Sequence, residues 1–131
     1  TAMNTGHDGC MGTLHANTAK ETATRLLSPP MNVAPIMLTA LDLLVVMERK
    51  TVEGKTVRKI TEISEIAGLE KDRPRMNNIF KLDPVSNLLK STGVPSRLRE
   101  RISKAVGIEI KKFDDIQARR ERLLKHLVTK N

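Results

Sequence analysis

Residues 5–17 most constrain what this chain can fold into, because a glycine-rich stretch leads directly into regularly spaced polar residues. Their sequence is Thr-Gly-His-Asp-Gly-Cys-Met-Gly-Thr-Leu-His-Ala-Asn. Gly6 and Gly9 permit a positive φ or a close approach of the backbone to a ligand. Thr13, His15 and Asn17 occupy alternate positions, and such residues share one face of a strand. The pattern predicts a strand over about residues 10–15 with a polar face.

The same residues have two other interpretations. In one, Gly6 to Gly9 form an ordinary turn and His15 is a hydrogen-bonded core residue. In the other, His7, Asp8 and His15 serve a metal-dependent hydrolase. Because Cys10 is the only cysteine, a structural zinc site would lack a second thiol, and we expect no metal. A cysteine directly after a glycine would also fit a protein-splicing junction, which an insertion before Cys10 in the gene would reveal.

The segment resembles the histidine box of the secretion, pilus and archaellum motor ATPases, the hexameric superfamily of type II and type IV secretion. The family pattern is Thr-Gly-His-x-Gly, a short spacer, and Thr-Leu-His-(Ala/Thr)-Asn. The positions that match it here are Thr5, Gly6, His7, Gly9, Thr13, Leu14, His15, Ala16 and Asn17. Weaker similarity continues through Arg25-Leu26 and residues 41–49 and 57–63, so the resemblance covers about the first half of the chain.

The resemblance implies a role for each matched residue. It assigns catalysis to His7, Thr13 and His15, nucleotide binding to Gly6, Gly9 and Asn17, and a subunit interface to Arg25. An imidazole can donate a hydrogen bond to a phosphate oxygen and, when charged, discriminate a triphosphate from a diphosphate. We therefore expect the two histidines to sense the γ-phosphate. The cofactors implied for the full-length protein are ATP and Mg²⁺.

A motor of this kind needs a complete nucleotide-binding domain, and 131 residues hold only part of one. The phosphate-loop pattern Gly-x-x-x-x-Gly-Lys-(Ser/Thr) is absent. Gly54-Lys55-Thr56 lacks the upstream glycine, and Glu53-Gly54 predicts a hairpin turn instead. No apolar strand ending in an acidic residue precedes the histidine box. We therefore expect a C-terminal fragment that binds neither ATP nor Mg²⁺ tightly and is inactive alone.

Hydrophobic spacing and turn residues predict the elements of the first part of the chain. Thr18 and Glu21 form a capping box that begins a helix, and Pro29-Pro30 ends it. A second helix should span about residues 33–41. The continuous apolar run over residues 43–47 predicts a central strand that is buried on both faces. Charged residues within 56–66 predict a strand at the sheet margin, followed by a loop over 67–75 and a short strand over 76–82.

Composition changes after Asp83-Pro84, where β-branched residues become fewer and lysine and arginine increase. We therefore expect an α/β fold in which residues 1–83 are the C-terminal half of a RecA-like P-loop ATPase domain, a mixed sheet with flanking helices. Residues 84–131 should form a basic helical subdomain. Its first helix begins at Ser96 and ends at Gly107, with an inward face of Leu98, Ile102, Ala105 and Val106. Its second helix is capped by Asp114 and carries an apolar stripe of Ile116, Leu123, Leu124, Leu127 and Val128.

The net charge of +8 and pI near 10 favour an alternative class, a basic domain that binds nucleic acid through its phosphates. With only 2% aromatic residues, however, the chain has almost nothing to stack on bases. It has neither an apolar run of about twenty residues nor a signal peptide. The resemblance to the secretion ATPases implies a cytoplasmic protein that is peripherally membrane-associated through the secretion machinery. The expected partners are other copies in a hexamer and an inner-membrane platform protein.

Overall fold

The computed structural model describes residues 9–129. The chain divides into two compact units, residues 1–95 and residues 96–131, and each is described by itself. The division falls after Pro95 rather than after Asp83 because a short fourth strand in residues 89–91 pairs with the third strand and so belongs to the first unit.

The first helix, α1 (Ala19–Leu27), has the predicted cap. The Thr18 hydroxyl accepts a hydrogen bond from the Glu21 N–H at 3.0 Å, which satisfies one of the free donors in the first helical turn. Ala19 and Ala23 are the buried residues of α1. The strand predicted over residues 10–15 is wrong: residues 10–16 have no regular secondary structure. Residues 10–15 are all exposed, so no burial of an apolar face drives them to pair with the sheet.

The predicted second helix is a shorter 3₁₀ helix, Pro35–Ala40. Pro35 occupies its first turn, where the missing N–H costs nothing. Leu38 is 1% exposed and belongs to the hydrophobic core with Ala23 and Ile66. Partly buried side chains surround this core: Leu26, Leu27, Val33, Leu41, Leu44 and Met76. The helices of this unit thus pack on the same sheet face as Ile66.

Four antiparallel strands form the sheet in chain order: β1 (Leu44–Val52), β2 (Lys55–Glu70), β3 (Arg73–Leu82) and β4 (Leu89–Ser91). The predicted turn at Glu53-Gly54 is confirmed, with φ values of 51° and 75°. Lys71 and Asp72 form the next turn, with φ values of 47° and 61°. Positive φ at both central residues matches the twist of a two-residue hairpin. Among the described residues the sheet is antiparallel throughout, not mixed.

The order of the strands reverses the predicted roles of β1 and β2. β1 is an edge strand, and Val45 and Met47 are 51% and 58% exposed, so the prediction of a doubly buried central strand is wrong. β2 is an interior strand that pairs with β1 and β3, and it continues through residues 67–70, where a loop was predicted. The sequence misleads because β2 buries polar side chains: Ser64 and Glu65 are fully buried.

The second unit contains α2 (Leu98–Val106) and α3 (Ile110–Thr129). The predicted end of α2 is confirmed, since Gly107 takes the left-handed conformation at φ 68°. The predicted inward face of α2 is wrong: Ile102 and Val106 are 46% and 56% exposed, whereas Ser103 is buried. Its hydroxyl donates to the Ile108 carbonyl, which satisfies the buried polar atom.

The second helix of this unit, α3, begins four residues before the predicted cap. Asp114 therefore lies within the helix, and its carboxylate pairs with the Arg99 guanidinium at 3.1 Å. The described members of the predicted apolar stripe are exposed: Ile116 43%, Leu123 65%, Leu124 52% and Leu127 62%. Within the described residues, no helix is both long enough and apolar enough to cross a membrane.

Candidate functional site

Five of the seven site residues expected from the sequence lie in the described part of the chain; Gly6 and His7 lie outside it. Gly9 is exposed and has a φ of 81°, a conformation that glycine adopts without steric cost. Thr13 is exposed. The remaining three, His15, Asn17 and Arg25, line one surface concavity.

This concavity, here called the histidine cleft, has a volume of about 520 Å³ and lies between residues 14–17, α1 and the edge strand β1. Its lining residues are Leu14, His15, Ala16, Asn17, Arg25, Met47, Glu48 and Arg49. The exposed edge of β1 supplies the last three, at a register irregularity between Val46 and Met47. A bulge of this kind redirects the side chains that follow it. The cleft therefore combines an imidazole, an amide and two guanidinium groups with one carboxylate, that of Glu48.

Glu21 connects two sides of the histidine cleft from the first turn of α1. Its Oε2 accepts hydrogen bonds from the backbone N–H of Asn17 at 2.9 Å and from Asn17 Nδ2 at 3.0 Å. Its Oε1 accepts a hydrogen bond from Arg25 Nε at 3.0 Å and lies 2.9 Å from Arg25 Nη2. The Asn17 backbone hydrogen bond, followed by the Arg25 hydrogen bond, lowers the pKa of Glu21. Glu21 therefore fixes both the Asn17 amide and the Arg25 guanidinium.

The charges around the histidine cleft are only partly neutralised. Arg25 pairs with Glu21, and the Glu48 carboxylate pairs with the Lys50 ammonium at 3.6 Å. None of the ion pairs found within residues 9–129 involves Arg49. The exposed Arg49 guanidinium therefore contributes a positive charge to the cleft that no carboxylate side chain of the described residues pairs with. Such a set of donors suits an anion with several acceptor oxygens, such as a phosphate.

A larger concavity of about 820 Å³ lies between α1 and the β2–β3 region of the sheet, and it contains none of the expected site residues. Ala23, Leu27 and Met76 contribute apolar surface to it. Glu62, also in its lining, accepts a hydrogen bond from the Ala19 N–H at 3.3 Å. Glu62 Oε1 also lies 2.7 Å from the Ser64 hydroxyl. The Ala19 contact joins α1 to β2, so we interpret Glu62 as a structural residue.

Two charged residues that bear on the histidine cleft, Arg49 in its lining and Glu21 beside it, were not predicted as site residues. Sequence reasoning treated Glu21 only as part of the helix cap, although its spacing of four residues before Arg25 indicates a side-chain pair on one helix face. Arg49 carries no local signal, because only the pairing of β1 at the sheet edge brings it beside His15. As for metals, no group of three His, Cys, Asp or Glu side chains within the described residues could hold an ion.

The sequence model of a family described as "Type II/IV secretion system protein" matches residues 1–111. The chain belongs to this family. The match confirms the resemblance inferred from residues 5–17, and it covers the whole first unit and α2. The histidine cleft is thus a feature of a type II/IV secretion system protein with an α/β architecture.

Two relatives from Methanocaldococcus jannaschii, both uncharacterised proteins, align with nearly the whole chain. One is 35% identical over 124 residues, which is 93% of this chain and 17% of the relative. The other is 30% identical over 123 residues, which is 92% of this chain and 45% of the relative. The chain therefore spans less than half the length of either of these relatives.

Proposed function

We propose that this chain is the C-terminal portion of an ATP-hydrolysing motor for protein secretion or for assembly of a surface filament, such as a pilus or an archaellum. In this proposal, residues 1–83 contribute the C-terminal half of a RecA-like P-loop domain. The full-length protein binds ATP and Mg²⁺ and acts as a cytoplasmic hexamer at an inner-membrane platform protein. Membership in the type II/IV secretion system family supports the proposal.

The observation that carries the proposed site is the meeting of His15, Asn17 and Arg25 with Arg49 in the histidine cleft. His15 and Asn17 belong to the histidine box, whereas Arg25 and Arg49 come from a helix and a strand. Phosphoryl transfer is catalysed mainly by positioned charges and hydrogen-bond donors that stabilise the transferring group. A cleft that gathers donors from three chain segments provides such groups without supplying a nucleophile.

We assign the imidazole of His15 to sensing the γ-phosphate, together with His7, which lies outside the described residues. The Arg25 and Arg49 guanidinium groups supply donors and positive charge toward phosphate oxygens. Glu21 acts as a positioning residue, because it holds Asn17 and Arg25. Thr13 donates its hydroxyl to the γ-phosphate or to the attacking water. The phosphate loop and the magnesium carboxylate must come from outside residues 1–131, so the isolated chain should hydrolyse almost no ATP.

The open shape of the histidine cleft supports a site that a second subunit completes. The Arg25 side chain is 52% exposed, and His15 and Arg49 are also exposed. Donors in contact with water stabilise an anion weakly, whereas the same donors in a closed, water-excluded site act much more strongly. The proposal therefore places the cleft at an interface between subunits, where nucleotide state can be converted into subunit movement.

The proposal is tested by steady-state ATPase assays on the full-length protein. We expect His15→Ala to lower kcat by about ten- to a thousandfold, which is the scale for loss of one positioned transition-state donor. His126→Ala, which removes an exposed imidazole from α3, is the matched control and should leave kcat unchanged. Glu21→Gln should lower kcat less than His15→Ala, because it loosens Arg25 and Asn17 without removing a donor from the cleft.

Two results would contradict the proposed site. Equal kcat values for His15→Ala and the wild-type protein would show that His15 takes no part in catalysis. An equal loss in His15→Ala and His126→Ala would indicate a general structural effect rather than phosphate sensing. Circular dichroism spectra of both variants should match the wild-type spectrum, so that a change in kcat reports on the cleft.

A further inference from the structure

Between Ile116 and Leu127, α3 exposes an apolar stripe that the described residues leave open to solvent. The stripe consists of Ile116, Leu123, Leu124 and Leu127, which are 43–65% exposed. Their spacings of seven, eight and eleven residues from Ile116 place them on one side of a helix. By contrast, Phe113 near the start of α3 is partly buried. The stripe therefore begins beyond Phe113, although Ile110 in the first turn is also 37% exposed.

Basic side chains flank and oppose the stripe in the same turns: Arg119 lies beside it, whereas Arg122 and Lys125 lie on the far side of the helix. Arg119, Arg122 and Lys125 recur every three residues and are exposed. Among the described ion pairs, only Lys125 of these three is engaged, with Glu121 at 3.1 Å. Arg120 lies within the apolar stripe, where its aliphatic stem can pack along apolar groups while the guanidinium reaches a polar layer. The later turns of α3 are thus apolar on one side and cationic on the other.

The positive charge of the chain is concentrated in this unit. Residues 96–131 contain eleven lysines and arginines and five acidic residues, so +6 of the net +8 lies there. Asp114 and Glu121 of α3 are each engaged by a cation, Arg99 and Lys125. Their negative charge is therefore neutralised locally. The exposed Arg119, Arg120 and Arg122 take part in none of the ion pairs found within the described residues and can meet an external anion.

An anionic lipid surface complements both sides of this helix. Such a surface presents phosphate groups to the arginines. Its acyl chains can contact the apolar stripe when the helix lies at the boundary between headgroups and hydrocarbon. Nucleic acid offers the phosphates alone and would leave four large apolar side chains in water. It would also find no aromatic side chain on α3 except Phe113, which is partly buried. Lipid is the partner that uses the whole exposed surface.

We propose that α3 binds directly to anionic membrane surfaces, with Ile116, Leu123, Leu124 and Leu127 inserted at the headgroup boundary and Arg119 and Arg122 beside lipid phosphates. This contact is independent of any platform protein and of nucleotide. It gives the chain its own attachment to a membrane through an amphipathic helix that lies in the plane of the surface.

A tryptophan reporter tests the orientation, because the chain contains no tryptophan. Leu127→Trp places the indole on the apolar stripe. Ala118→Trp, about two and a half helical turns earlier, places it on the opposite side. The full chain is mixed with vesicles of phosphatidylcholine alone or of equal parts phosphatidylcholine and phosphatidylglycerol. We expect a blue shift and protection from iodide quenching only for Leu127→Trp and only with the anionic vesicles.

Two sets of variants separate the apolar and the electrostatic contributions in a vesicle sedimentation assay. Arg119→Gln with Arg122→Gln should weaken binding about 30-fold, since each basic residue near the surface contributes about fivefold or more. Arg58→Gln with Arg75→Gln removes two exposed arginines from the sheet and should leave binding unchanged. Leu123→Glu should weaken binding at least about tenfold, because the carboxylate cannot enter the apolar layer.

Val85→Glu is the control for Leu123→Glu, because it introduces the same charge at a side chain that is 93% exposed in the other unit. Leu127→Ala, a milder change, keeps the test interpretable if Leu123→Glu alters folding. Absence of wild-type binding to anionic vesicles, or equal shifts of the two tryptophans, would overturn the proposal. Binding to duplex DNA that Arg119→Gln with Arg122→Gln abolishes, without vesicle binding, would establish nucleic acid as the partner instead.

Discussion

Replacement of Leu38 by alanine should produce a large loss of stability in the first unit. Leu38 is 1% exposed and meets Ala23 and Ile66 in the core. The substitution removes three carbon groups, worth about 2.4 kcal/mol in transfer free energy. The rigid sheet beneath the 3₁₀ helix prevents full collapse, so a cavity term raises the expected loss to about 3–4 kcal/mol. Because only six apolar residues are buried among those described, this loss is a large part of the free energy of unfolding of the first unit.

The loss is measured by urea unfolding followed by far-UV circular dichroism at constant protein concentration. The midpoint should fall while the slope of free energy against urea stays constant, since the surface exposed on unfolding hardly changes. Leu88→Ala is the matched control, because Leu88 is 61% exposed, and it should change stability by less than about 0.5 kcal/mol. A loss below about 1 kcal/mol for Leu38→Ala, or equal losses in the two variants, would refute the assignment of the core.

Three further predictions concern the cap, the first hairpin and the pH dependence. Thr18→Ala should cost about 1 kcal/mol in urea unfolding because it removes the N-cap acceptor, whereas Thr24→Ala in the middle of α1 should cost less; equal costs would contradict the capping role. Gly54→Ala should cost about 1 kcal/mol because its φ of 75° strains an L-residue. Gly12→Ala is the control, because both glycines have open space around them but Gly12 is not among the glycines with a positive φ. The pKa of Glu21 is lowered in the folded protein, so its stabilising contribution is present above the unfolded pKa near 4.5 and is lost as pH falls through the folded pKa. The difference in free energy of unfolding between the wild type and Glu21→Gln should therefore shrink below pH 4.5. A difference that grew on acidification would contradict a lowered pKa.

Local chemistry made several elements predictable from the sequence. The capping box at Thr18 and Glu21 identified the start of α1, and Glu53-Gly54 identified the first hairpin turn. Gly107 identified the end of α2. Each signal acts within a few residues, because a cap or a tight turn is decided by backbone conformation and nearby hydrogen bonds. Such features do not depend on which strand lies beside which.

The candidate site was predictable only in part. The spacing of the histidine box selected His15 and Asn17, and the family resemblance selected Arg25. Neither source indicated Arg49, because its position beside His15 depends on the pairing of β1 with β2 and on the irregularity at Met47. The predicted strand under the histidine box failed for a related reason: alternating polar residues do not form a strand without a pairing partner.

By itself, the sequence determined the local boundaries, the family and the concentration of positive charge in the last 36 residues. Only the tertiary structure decided that the apolar run in β1 lies at the sheet edge and that the polar run in β2 lies inside the sheet. Strand order depends on contacts between distant residues and on whether each buried polar atom finds a partner, as the Ser64 hydroxyl does with Glu62 and Asn78. Hydrophobicity along the chain carries no information about these partners, so it could not place the strands.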